Sequence, residues 1–217
     1  MKKNILIMML PFILAGCKDF KKSIDDTLSA NRSAGDSLQG TATLENGSVN
    51  LEDTNNSKEQ DAPFASKPEK LNLAEQQLRD LPRFKGKLIY IYQDIHFYAD
   101  GRIIVKLQTP ENPNFVDEYT YSNGQWQQPE PVLLSKNDDV QADLISLDKI
   151  PFKNANNVYK ILIEKGKEIG SNNENQVINA GLRRNKIVWH PGTINSERYR
   201  YDIEYNEDGT LKSFEQQ

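Results

Sequence analysis

Apolar positions are spread unevenly along the chain. Residues 5–14 (ILIMMLPFIL) are almost wholly apolar. From 18 to about 67 the apolar residues are scattered among Ser, Asn, Asp, Thr and Gly, with no sustained period. From 68 onward two periods take over. Leu73, Gln77, Leu78 and Leu81 fall at helical spacing, Asn72 and Glu75 supply a helix-start signal, and Pro82 supplies a stop. A longer helical stripe follows at Ala155, Val158, Tyr159, Leu162, Gly166 and Ile169, with Gly170 placed to cap its carboxyl end.

Between and after these helices the pattern changes to strands. β-Branched and aromatic runs flank Asp100-Gly101 in KLIYIYQDIHFYADGRIIVKLQT, a strong hairpin signal. A second hairpin turns at Asn123-Gly124. KIVWH, residues 186–190, reads as a strand before a Pro191-Gly192 loop. In ERYRYDIEY the aromatic side Tyr199, Tyr201, Ile203, Tyr205 alternates with Arg198, Arg200, Asp202, Glu204, as in an antiparallel strand with one wet face. Asp208-Gly209 turns it into a last strand. The order predicts an α+β fold, an antiparallel sheet with two helices packed on one face. FYADGRI and YNEDGTL echo each other, which suggests two αβββ-type halves sharing that sheet.

Composition divides the chain into three parts. Lys2 and Lys3, the apolar run, and then Ala15 and Gly16 have the layout of a secretory signal. About ten apolar residues are too few to cross a bilayer core, which takes about 20. Residues 17–67 offer too little apolar surface to offset the entropy of ordering and read as a tether, with an r.m.s. span of roughly 35–45 Å. The single domain is expected over 68–217, a length that can bury a real core. Its 19 Lys and Arg against 22 Asp and Glu leave it mildly acidic, which argues against nucleic acid as a partner.

Leu14-Ala15-Gly16-Cys17 resembles the lipobox of bacterial lipoproteins at all four positions. The resemblance implies a diacylglyceryl thioether on Cys17, cleavage before it, and a mature chain beginning there with two or three acyl chains, enough to hold firmly to a membrane. It also accounts for the only cysteine in the sequence. Lys18 rather than Asp follows Cys17, and the family's sorting rule then favours the outer membrane. The order of elements in the last two-thirds is similar to that of periplasmic PepSY-like domains and of the two-repeat β-lactamase inhibitor fold.

Candidate chemistry is sparse. The 204–215 stretch places Glu204, Asn206, Asp208, Gly209, Leu211 and Glu215 at calcium-loop positions. A strand pattern precedes it, Glu replaces Asp at its first position, and only two residues follow it, so a β-hairpin is expected instead. His96 and His190 stand far apart with no metal-ligand spacing, and both are expected to be structural. No nucleophile elbow, P-loop or dinucleotide fingerprint is present. No cofactor, no metal and no enzymatic activity are expected.

Recognition is what remains. Trp126, beside a turn, is the candidate exposed hot spot, whereas Trp189 is expected in the core. Arg198 and Arg200 are the candidate charged contacts. The leading expectation is a lipid-anchored binding or scaffold module with an envelope protein as partner. An inhibitor or immunity-type protein that blocks a hydrolase, through a loop at 110–114 or 191–195, is the alternative. An enzyme of unfamiliar type would need a deep polar cleft.

Overall fold

A computed structural model describes residues 62–217. Cys17 and most of the expected tether lie outside the described residues. The ordered packing begins earlier than position 68. Phe64–Ser66 form a short 3-10 turn whose Phe64 and Ala65 are buried. The Phe64 amide donates to the Ala99 carbonyl at 3.0 Å and its ring meets Tyr121. Asn156 Nδ2 donates to the Ala65 carbonyl at 2.8 Å.

Helix α1 spans Pro68–Asp80, four residues longer at its start than the sequence signal indicates. Pro68 opens it, at a position where a missing N–H costs nothing. The buried stripe is Leu71, Ala74 and Leu78, while Leu73 is 53% exposed. The stripe is thus set by the earlier start. Helix α2 spans Asn154–Ile169 and buries Ala155, Val158, Leu162 and Gly166. Gly170, at φ 73°, closes it in the left-handed conformation that glycine adopts without penalty.

The strands are β1 (Tyr90–Phe97), β2 (Ile103–Thr109), β3 (Asn112–Ser122), β4 (Gln125–Trp126), β5 (Glu130–Pro131), β6 (Leu144–Ser146), β7 (Ile178–Arg183), β8 (Lys186–His190), β9 (Thr193–Asn195), β10 (Arg200–Tyr205) and β11 (Leu211–Gln216). All of their pairings are antiparallel. The α+β class therefore holds. The single shared sheet does not. Eight strands form one sheet in the order β4-β3-β2-β1-β7-β8, with β5 beside β3 and β6 beside β1, whereas β11-β10-β9 form a second. Pro191-Gly192 carries the chain out of the first sheet, and the next residues pair with β10 instead.

One face of the main sheet supplies Ile91, Ile95, Phe97, Ile103, Val105, Leu107, Tyr119, Tyr121, Ile178, Ala180, Ile187 and Trp189 to a continuous core. Both helices pack their stripes into it. Each fully buried aliphatic side chain contributes roughly 1.5–3 kcal/mol. On the other face a small cluster of Tyr92, Val116 and Val140 lies under Val132, Leu134 and Leu144. The rest of that face carries mostly polar side chains, with Ile104 and Val188 among them.

Strand β1 is irregular in its middle. Between the pairs Ile91↔Leu107 and Ile95↔Val105, Tyr92, Gln93 and Asp94 stand across from Lys106 alone. Gln93 sits in this bulge at φ 67°. On its other side β1 changes partner at the same residue. Residues 90–92 pair with β6, and 94–97 with β7.

Candidate functional site

Paired residues in an antiparallel sheet project to the same side, so the registers define rows across the open face. His96 pairs with Asn179, and Asn179 with His190. One step along, Asp94 pairs with Gly181, and Gly181 with Val188. A step further, Arg183 pairs with Lys186. Two histidines distant in sequence therefore share one row, separated by a single strand. The link between them is β7, a strand that the sequence pattern does not mark.

Gly181 leaves the middle row without a side chain. A hollow of about 220 Å³ lies over it, lined by Gln93, Asp94, Asn179, Gly181, Leu182, Arg183, Val188 and His190. The bulge crowds the glycine. A Cβ there would stand 3.0 Å from the Gln93 carbonyl oxygen and 3.2 Å from Asp94 Cβ. Gln93 in turn holds a backbone conformation that costs a side-chain-bearing residue roughly 1–2 kcal/mol. Such strain collects at sites that other packing over-determines.

The charges around the hollow are arranged asymmetrically. His96 Nε2 lies 3.2 Å from Asp94 Oδ1. That hydrogen bond holds the Asp94 carboxyl below its ordinary range, against the opposing effect of burial. At the other end Arg183 and Lys186 are like charges directly opposite each other. Among the described residues neither has a carboxylate partner. Burial, with a smaller push from the Arg183 charge, lowers the His190 pKa.

A pH dependence follows. His190 binds a proton less readily folded than unfolded, so the unfolded chain takes up more protons below the ordinary histidine range near 6.5. Stability is full above that range and is lost as pH falls through it. Denaturant midpoints measured from about pH 7.5 to 5.5 should fall, and the slope should flatten in His190→Gln. An unchanged slope in that variant would place the titration elsewhere.

The sequence candidates lie apart from this face. Trp126 is half-buried. Its Nε1 donates to the Ala74 carbonyl at 2.9 Å, and its ring packs on Tyr121 and Phe152. It fastens β4 to α1, so the expectation of a wet hot spot is corrected. The neighbouring Gly and Gln residues gave no sign that α1 would cover it. Trp189 is in the core, 2% exposed, as expected. Arg200 opens β10 and Arg198 sits in the turn before it. Both are exposed, Arg200 on the smaller sheet and Arg198 beside it, whereas Trp126 is on the main sheet.

The 204–215 stretch is the hairpin of β10 and β11, with Glu204 held by Lys212 at 2.7 Å. Of the two loops expected to protrude, residues 193–195 form β9, whereas 110–114 are the β2–β3 turn and the start of β3, exposed at Glu111, Pro113 and Asn114, with Glu111 bound to Arg83 at 2.8 Å and Lys87 at 3.7 Å. Phe115 and Leu133, 60% and 97% exposed, stand near the β3–β5 edge and were not singled out by the sequence pattern. A larger hollow of about 590 Å³ opens beside Ala62, Pro63 and Tyr98, where the chain runs on into residues outside the described set.

No family model matches the chain, and no curated protein matches it. Among solved structures, the crystal structure of a candidate lipoprotein from Clostridium difficile is similar over 72% of this chain and 94% of that one, at 10% identity and a TM-score of 0.38. So distant a likeness carries no argument about the role of either protein.

Proposed function

We propose that this chain is a lipid-anchored envelope protein whose folded region recognises a partner through the open face of its main sheet, without catalysing a reaction. The observation that carries the reading is the convergence of Asp94, His96, Asn179, Arg183 and His190 around the bare floor at Gly181. These groups stand on strands held from behind by a continuous core, which gives the fixed geometry recognition needs. Asp94 and His96 already hold each other, which suits a standing surface better than a proton relay. The anchor is Cys17 of the lipobox, the tether keeps the face clear of the headgroups, and Lys18 favours the outer membrane as its destination.

Two measurements test this. Mass spectrometry of protein from its native host should find an acylated, diacylglyceryl-modified amino end at Cys17, and Cys17→Ser should move the protein from the membrane to the soluble fraction. A photo-crosslinking residue in place of Val188 should capture an envelope component that the same residue in place of Leu73 does not. An unmodified thiol would remove the anchor, and identical adducts at both positions would remove the binding face.

A further inference from the structure

The hollow over Gly181 has a carboxylate wall at Asp94, with the Lys106 charge acting on it, and a positive wall at Arg183. On β1, Asp94 engages His96 through Oδ1, a bond that lowers its pKa, with no hydrogen bond to Oδ2 among the described residues. On β7, one residue pair further along, Arg183 faces Lys186 rather than a carboxylate. Strand spacing and rise place the Asp94 and Arg183 Cα atoms about 8 Å apart, diagonally across the glycine. Gly181 leaves this row without a side chain, and the hollow lies beside it, bounded by the Gln93 carbonyl oxygen and Asp94 Cβ, which stand 3.0 Å and 3.2 Å from where a Cβ on Gly181 would be. Like charges paired across strands are unfavourable unless an anion joins them.

A simple anion would meet Asp94, and a simple amine would meet Arg183 and Lys186. A molecule bearing both charges a few ångströms apart satisfies both walls together. We infer that the hollow binds a small zwitterion of the α-amino acid class, its ammonium on Asp94 and its carboxylate on Arg183, with the Asn179 and Gln93 amides beside it. This deepens the binding reading above and rests on it. The hollow of about 220 Å³ accommodates a small amino acid. The two contacts are charge-assisted, and such bonds are about twice as strong as neutral ones.

The test uses the full-length lipoprotein in detergent micelles. L-Alanine and D-alanine are titrated in turn while the Gly181 and Asn179 amide resonances are followed. N-Acetylalanine, which lacks the ammonium, and alaninamide, which lacks the carboxylate, are the paired controls. Saturable shifts with at least one alanine are expected, with each capped form at least tenfold weaker. Asp94→Asn should abolish the penalty for losing the ammonium, and Arg183→Gln the penalty for losing the carboxylate. Both substitutions lie on the half-open face and leave the core intact. Equal binding of free and capped forms, or binding of acetate as tight as that of alanine, would overturn the inference. If alanine fails while the position-188 adduct persists, the ligand class is wrong and the binding face stands; if both fail, the face is wrong as well.

Discussion

Trp189→Ala is expected to lower the free energy of unfolding by about 3–5 kcal/mol, the range for emptying a large buried aromatic site. The indole is 2% exposed within the continuous core, so its removal leaves a cavity that its surroundings can only partly fill. It also carries a bond between the two sheets, since Nε1 donates to the Glu207 carbonyl at 3.0 Å. Trp189→Phe separates the two effects. It keeps most of the apolar volume and should cost only about 1–2 kcal/mol, chiefly through the lost N–H and the carbonyl left behind. Urea unfolding followed by far-ultraviolet circular dichroism reads both variants. A cost under about 1 kcal/mol for the alanine variant would mean that the site is not packed as described.

The second large effect is at Gly209. Its φ of 80° already strains any other residue, and a Cβ would stand 2.6 Å from the Asn154 carbonyl oxygen and 3.0 Å from Val158 Cγ2. Both contacts are with α2 and one is backbone, so the turn itself must move. Moving it disturbs the bonds from Asn157 Nδ2 to the Asp208 carbonyl, 2.9 Å, and from Trp189 to Glu207. Gly209→Ala should therefore cost about 3 kcal/mol or more, roughly 1–2 from the backbone and the rest from displacement. Gly124 is the control. Its φ is 81° and nothing lies within 4 Å of its Cβ position, so Gly124→Ala should show the backbone part alone. Equal losses at the two sites would mean that the turn does not press on α2. Trp189 and Gly209 anchor the same turn, so their effects should not add.

What the sequence revealed, and what it withheld, follows the range of each interaction. The turns at Asp100-Gly101, Asn123-Gly124 and Asp208-Gly209, and the stripe of α2 ending at Gly170, are local devices and are all present. Strand β7 was missed because INAGLR carries small residues where a strand pattern is sought, and its turn uses Arg184 and Asn185, at φ 52° and 62°, in place of the usual glycine. The site was hidden with it. His96 and His190 meet only through Asn179, so without β7 nothing relates them. The division into two sheets is a matter of long-range pairing, which alternation along one strand does not encode. Trp126 was misjudged for the same reason, since α1 covers it from fifty-two residues away.

The bulge in β1 has a consequence for folding fidelity. A regular strand can slide by two residues and still present the same side chains to each face. Here a two-residue slip would push Gln93 and its left-handed backbone into a ladder, and would set the bulge against Asn179 or Arg183, which carry the Cβ that Gly181 lacks. It would also pull β6 and β7 out of alignment together, because one strand serves both. The defect thus works as a key, admitting one alignment and penalising its nearest competitors.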